Sequence, residues 1–445
     1  MVFMPQGESD DLQPEQTDFM VKNLTIGILG AGTAGGGLIR LIQDRLKQEH
    51  LPVEIKRVGV RDLAKPRSFV VEEGVLTSDL ESIAEDPEID ILVEAIGGLE
   101  PARAYIEKGF RCGKHVVTSN KHVVSEWGEH LHQLARGASK HFLYEASVAG
   151  SIPIVEILHK GVIPDRIHSL YGILNGTTNY ILTRMTEIGE AFQVALTMAQ
   201  ELGFSEPDPS FDISGKDASQ KLSILISILI GEHCHPAQID VRGIEFITPW
   251  DIQFAAEHHW IIKPLAIYEE KDGMHFASVE PVFLPRNSVL AGARNEYNAL
   301  CLDCENIGKQ FLIGKGAGEM PTASALLSDL IKILQDPNPV LDAALEKSRR
   351  SISMPFHSCI DNPKSYRFYI NSTHRKTPDS RRKVYEVFCM DCELIQEHGG
   401  AGIGVFTLAV VTKPIPFAEL FQVMDLILSL DPEAEISWMR ILEDL

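Results

Sequence analysis

Residues 22–46, KNLTIGILGAGTAGGGLIRLIQDRL, decide how this chain begins to fold. The run TIGIL, 25–29, is short and apolar, which predicts a strand. Gly30, Gly32 and Gly35 then give G-x-G-x-x-G, and GGLIRLIQDRL, 36–46, has helical periodicity. Each glycine has its own reason. The first makes a tight turn, the second lets backbone approach a pyrophosphate, and the third lets helix meet sheet. The helix N-terminus offers unpaired N–H groups to the anion. Strand, glycines and helix in this order outweigh a mere glycine-rich turn. Gly30, Ala31, Gly32, Thr33, Ala34 and Gly35 are therefore read as a dinucleotide-binding loop.

Working outward, VEIKRVGVRDL, 53–63, reads as the second strand. Arg61 at its end accommodates a 2′-phosphate, which favours NADP over NAD; a surface ion pair for Arg61 and a ribose contact from Asp62 are the competing readings. IDILVEAIGG (89–98), KHVVTSNK (114–121) and HFLYEASVAG (141–150) are further strand signals, with helix-like EPARAYIEKGFRCG between the first two. Strands alternating with helices predict an α/β, doubly wound parallel sheet, a Rossmann-type nucleotide-binding domain over residues 22–150. Gly97, Gly98, Ser119, Asn120 and Lys121 fall at carboxyl ends of strands, where ligands sit in such sheets. A surface lysine is the plainer reading of Lys121.

The bulk numbers exclude several partners. In 445 residues, 62 acidic side chains face 41 basic ones, for a formal charge of -21. Nucleic acid and anionic membranes both demand a cationic face, so neither is expected. Residues 1–21 are acidic and lack the basic start and apolar core of a signal peptide, and they read as a disordered tail. The longest apolar run, LSILISILI (222–230), is nine residues and too short to span a bilayer as a helix. An odd count of seven cysteines suggests reduced thiols in the cytoplasm. CLDC (301–304) and CMDC (389–392) each have half-zinc-site spacing, but they lie far apart in the chain, and chance placement is the favoured reading.

In the middle of the chain YGILNGTTNYILTRM, 171–185, combines a strand, a polar turn at Asn175 and Gly176, and a helix that Thr177 or Thr178 can cap. SEPDPSFDISGKDASQKLSIL, 205–225, then crowds Glu206, Asp208, Asp212 and Asp217 against Lys216 and Lys221. Asp217 and Lys221, four apart, share a helix face; alone that spacing means an ordinary surface ion pair. Here the following turns are nearly all apolar, so part of the helix must be buried. FLIGKGAGEMPTASALLSDLIKIL, 311–334, is a second glycine-rich turn into a helix, able to cradle phosphate at Gly316 and Gly318 but not a Walker sequence.

The blocks GILGAGTAGGG, VRDL, GGLEPA, GKHVVTSNK, EASVAGSIPI, GILNGTTNYIL, ALTMAQELGFSEPDPSFDISGKDASQKL and GKGAGEMPTASA together resemble homoserine dehydrogenase, in that family's order, from Lys22 to Leu334. The resemblance implies reversible NAD(P)-linked reduction of L-aspartate 4-semialdehyde to L-homoserine, towards threonine and methionine. It implies an α+β substrate and dimerisation domain at 151–310, a segment returning to the nucleotide domain at 311–345, and a homodimer or homotetramer. It makes Asp217 and Lys221 the polar catalytic pair and Lys121 the second active-site lysine. It gives Glu206 and Asp212 to the substrate ammonium, with Asn175, Gly176 and Thr177 beside them. Glu145, Val148, Gly150 and Ile152 match the family's alkali-metal loop for Na+ or K+. A lysine beside the carbonyl oxygen can donate a proton as hydride arrives, and Lys221 is the expected donor.

Departures from the pattern are Phe204, where the family often has tyrosine, and Glu319, which follows the GKGAG turn and either weakens cofactor binding or points outward. Residues 346–445 read as strand, helix, strand, helix, strand, with CMDC on the first helix, and resemble an ACT domain. The usual D-x-P-G turn is replaced by NSTHRKTPDS (371–380), so an oligomerising role is better supported than threonine binding. Two rival readings fall. A catalytically dead subunit would have lost Lys221, Lys121 or Glu206, and an acyl-forming semialdehyde dehydrogenase needs a cysteine on a catalytic turn, where neither Cys112 nor Cys234 stands.

Overall fold

The computed structural model describes residues 23–49, 51–160, 165–337, 356–375, 380–388, 392–398 and 405–445. The acidic tail at 1–21 lies outside the described residues. Strand β1 (Leu24–Leu29) leads into α1 (Thr33–Glu49) and β2 (Val53–Gly59). β3 (Leu76–Thr77), α2 (Leu80–Glu85), β4 (Ile91–Glu94), α3 (Ala102–Arg111), β5 (His115–Thr118), α4 (Lys121–Ala138) and β6 (Phe142–Leu143) follow. All six strands are parallel, in the order β3-β2-β1-β4-β5-β6. Every residue of β4 and β5 is buried, which is why their centres, ILV and VV, are apolar without alternation. The order reverses between β1 and β4, and the loops after β1, β4 and β5 open on that crevice.

The second layer begins with α5 (Ile154–Lys160), β7 (Ile167–Ile173), α6 (Gly176–Ile188), α7 (Phe192–Glu201), α8 (Ser210–Ile213) and α9 (Lys216–Ile230). It continues through β8 (Asp240–Val241), α10 (Pro249–Glu257), β9 (Trp260–Lys271), β10 (Met274–Pro285), β11 (Tyr297–Cys304) and β12 (Gly308–Lys315). β9 and β10 form a long hairpin turned by Asp272 and Gly273, both at positive φ, the backbone that a tight two-residue hairpin requires. α9 is buried on nearly every side because it lies between α4 and this sheet, in one core shared by Leu222, Leu225, Val124 and Ala266. Helix α11 (Glu319–Gln335) crosses back and packs on α1. A Cβ on Gly37 would sit 3.0 Å from that of Ala323, so the helices touch closely there. The segment expected to begin at 311 starts inside β12, the edge strand of the larger sheet, and the crossing back follows Lys315.

The C-terminal part holds β13 (Phe356–His357), β14 (Arg367–Arg375), α12 (Ser380–Phe388), β15 (Cys392–His398), β16 (Val405–Thr412), α13 (Phe417–Leu430) and β17 (Glu435–Ile441). From β14 on this is a βαββαβ unit with antiparallel order β17-β14-β16-β15, one strand more than the sequence pattern suggested. Charged residues interrupt the alternation of CELIQEH, which hides β15. CMDC is not helical where it is described: α12 ends at Phe388, Cys392 opens β15, and Cys389 lies outside the described residues. β17 pairs with β10 at Val282–Arg440 and Phe283–Ile441, joining both parts into one 11-stranded sheet, β12-β11-β7-β9-β10-β17-β14-β16-β15 with β8 and β13 beside β10. Cys301 and Cys304 enter cores on opposite faces of β11, so CLDC is no half-site.

Candidate active site

The dinucleotide loop has the space such a group needs. A Cβ on Gly35 would lie 1.9 Å from the Gly30 carbonyl oxygen, and one on Gly30 would lie 2.5 Å from that of Ala95. A Cβ on Gly32 would meet nothing within 4 Å, which leaves open ground above the start of α1. These residues fit a dinucleotide pyrophosphate. Arg61 is exposed just beyond β2, in a loop tied by Arg67, whose guanidinium donates to the carbonyls of Asp62 and, at 2.7 Å, Lys65.

Across the crevice the sequence reading missed Glu94. It ends β4, is fully buried, and accepts from Thr118 Oγ1 at 2.5 Å and from the Ile96 and Gly97 amides at 2.9 and 3.2 Å. Burial pushes its carboxyl upward in pKa, and these bonds work against that push. Its signal was an acid closing an all-apolar strand. Asn120 caps α4 and donates to the Gly98 carbonyl at 2.6 Å, so Gly97, Gly98 and Asn120 form one fixed rim. Ser119 stands half-buried beside it.

The groups expected to do chemistry converge on one carboxylate. Asp217, buried in the first turn of α9, accepts from Lys221 at 2.7 Å and Asn175 Nδ2 at 2.8 Å, while Lys121 Nζ approaches its other oxygen at 3.3 Å. Lys121 heads α4 of the nucleotide layer, whereas Asp217 and Lys221 come from the second layer. Burial opposes the charge on Asp217, but the two lysines overcome it and hold its carboxyl at about 2. Lys221 also donates to the Leu174 carbonyl at 2.8 Å. Asn175, not Thr177 or Thr178, caps α6: its Oδ1 accepts from the Thr178 amide at 2.8 Å, which aims its Nδ2 at Asp212 and Asp217, each at 2.8 Å. Thr177 donates to the Phe204 carbonyl at 2.6 Å and meets Asp212 at 3.3 Å. Burial, then the charge of Asp217, raises the pKa of Asp212. Gly176 has backbone of Glu296 where a Cβ would press, at 3.1 Å.

Other expected residues lie differently. Glu206 is exposed on the loop before α8, and its carboxylate does not join the Asp217 cluster. Glu145 points both oxygens at the first turn of α5, accepting from the Val155 and Glu156 amides at 3.0 and 2.7 Å. Burial lifts its carboxyl to about 7. Val148, Gly150 and Ile152 follow in a buried loop, and a Cβ on Gly150 would press on Gly316 at 2.7 Å. Gly316 in turn packs directly on Asn298, while Gly318, at φ +116°, opens α11. Glu319, at the start of α11, pairs with Arg40 of α1 and is partly exposed. Among the described residues no His, Cys, Asp and Glu cluster forms a metal centre, and none of the helices is long and apolar enough to cross a membrane.

Comparison with known proteins agrees with this geometry. The homoserine dehydrogenase family model matches residues 153–331, and the model of that family's NAD-binding domain matches 30–145. A homoserine dehydrogenase of Synechocystis is 41% identical over 331 residues, covering 72% of this chain and 76% of the relative. The chain belongs to the homoserine dehydrogenase family. A homoserine dehydrogenase crystal structure from Thiobacillus denitrificans superimposes with TM-score 0.83 at 30% identity over 94% of this chain and 98% of its own. A hyperthermophilic archaeal homoserine dehydrogenase in complex with NADPH has TM-score 0.60 at 26% identity, covering 71% and 99%. The activity is therefore NAD(P)-dependent interconversion of L-aspartate 4-semialdehyde and L-homoserine, with an ACT-like C-terminal unit attached.

Proposed function

We propose that Lys221 is the proton donor of this reaction, that Asp217 holds it in place, and that Lys121 assists. The observation that carries this is two lysines from different layers meeting on one buried carboxylate. An ammonium has three hydrogens. Those of Lys221 toward Asp217 and Leu174 leave a third for the substrate carbonyl oxygen. Lys221 is also the less exposed lysine, 13% against 27%, so its charge acts through less water. When bound, the nicotinamide gives or takes the hydride, so no protein nucleophile is required. Asp212 and Glu206 are the acids assigned to the substrate ammonium, and Asn175, Gly176 and Thr177 line the Asp212 side of the site.

NADP is preferred to NAD, because Arg61, Lys65 and Arg67 share the loop beyond β2 and a relative carries NADPH. Backbone carbonyls of Val148, Gly150 and Ile152 with Glu145 hold Na+ or K+. The protein works in the cytoplasm as a homodimer or homotetramer; the free thiols of Cys112 and Cys301 and the half-exposed Ile313 on edge strand β12 support that reading. Steady-state kinetics of Lys221→Met and Lys121→Met test the roles. Both lose about 10²–10⁴-fold in kcat, and Lys221→Met keeps its nucleotide affinity by fluorescence titration. A near-normal kcat in Lys221→Met would remove it from the chemistry.

A further inference from the structure

Glu94 is a demanding residue to keep at the end of β4. Ile91, Leu92 and Val93 before it are buried, and a fourth apolar side chain would continue the strand without placing a carboxylate out of water. Among the described residues its partners are all neutral donors, with no cation beside it. Oε1 accepts from the Ile96 and Gly97 amides and faces Asn120 Nδ2 at 3.5 Å. Oε2 accepts from the Thr118 hydroxyl at 2.5 Å. Glu94 has no exposed surface, so whatever it does for the reaction it does through these partners.

The partners are the parts that have to stay in register. Gly97 and Gly98, both at positive φ, turn the chain at the carboxyl end of β4. The same turn meets the first glycine loop: the Ala95 amide donates to the Leu29 carbonyl at 2.8 Å, and the Ala95 carbonyl fills the space beside Gly30. Thr118 ends β5. Its one hydrogen goes to Glu94, which leaves its oxygen to accept from the Asn120 amide at 3.0 Å. Asn120 in turn holds the Gly98 carbonyl and caps α4, whose first residue is Lys121. Lys121 Nζ then stands 3.3 Å from Asp217. A single buried carboxylate therefore joins the cofactor turn to the helix start that carries the second lysine.

We propose that Glu94 is a positioning residue for the dehydrogenase reaction, fixing Lys121 and the Gly97–Gly98 turn at one spacing. The Lys121 half rests on the catalytic reading of that lysine above, whereas the cofactor half does not. A glutamine at this position keeps its oxygen under the Ile96 and Gly97 amides but turns an NH₂ toward Thr118, whose hydrogen then loses its acceptor. Alanine removes every one of these bonds.

The test is a double-mutant cycle on homoserine oxidation, with kcat measured at saturating NADP and homoserine for wild type, Glu94→Ala, Lys121→Met and the double variant. Fluorescence titration of NADPH runs beside it. Glu94→Ala lowers kcat about 10–100-fold, the effect of misplacing a reactive group by about 1 Å. It raises the Kd for NADPH about tenfold. In the Lys121→Met background the same substitution changes kcat less than about twofold, because there is no longer a lysine to misplace. Glu94→Gln, which keeps half of the bonds, loses about fivefold in kcat and replaces alanine in the cycle if Glu94→Ala does not fold by thermal melting. A residue that only stabilised the fold would cost the same factor in both backgrounds. Equal losses with and without Lys121, or wild-type kcat and Kd in folded Glu94 variants, overturn the proposal. A normal kcat in Lys121→Met strikes the catalytic reading of that lysine instead, and the NADPH Kd of the Glu94 variants then decides alone.

Discussion

Asp217 shows how much a single side chain depends on its neighbours. Its carboxylate is held near 2 only because Lys221 and Lys121 outweigh burial, and Asn175 supplies a further donor from a helix cap. Asn175→Ala should therefore act twice, costing about 1 kcal/mol of cap stability and lowering kcat by loosening Asp217; thermal melting and initial rates read the two effects separately. Glu145 runs the other way. Burial raises it from 4.5 to about 7, so the folded state binds its proton more tightly than the unfolded one. Stability from this group is full below 4.5 and is lost as pH rises through 7. In buffer free of Na+ and K+, the ions assigned to this loop, Glu145→Gln should flatten that decline in thermal melts across the same window, and parallel curves would show that Glu145 does not cause it.

At the scale of elements, the opening strand, glycine turn and helix were legible because one short motif carries strand, turn and anion site together. The Asp217–Lys221 spacing was legible too, but not its meeting with Lys121, since nothing in the chain between 121 and 217 says that α4 will lie along α9. Glu94 was read as part of an apolar strand, and only the fold shows it bracing Ile96, Gly97 and Thr118. The edge of β2 carries the cofactor prediction: Arg61→Ala raises KM for NADP about tenfold, one lost charged contact, and leaves KM for NAD unchanged in initial-rate assays. Equal effects on both would make Arg61 a general surface charge.

Across the whole molecule, the C-terminal unit joins the central sheet through a polar seam that no local pattern announced. Arg440 of β17 is fully buried between Glu280 and Glu269 of β10 and β9, and Glu269 also takes hydrogen bonds from Tyr171 at 2.9 Å and Lys364 at 2.8 Å. Arg440→Met should cost about 3–5 kcal/mol in chemical denaturation, because two buried carboxylates lose their shared cation. A loss under about 1 kcal/mol would mean that the seam relaxes around the change.

The account as a whole turns on Lys221 and Asp217 acting as one unit, and a double-mutant cycle on homoserine oxidation tests that most directly. Initial rates with NADP are compared for wild type, Lys221→Met, Asp217→Asn and the double variant. If the pair is one device, the double variant is no slower than the worse single variant. Losses that multiply would show two independent contributions and contradict the arrangement proposed for the proton donor.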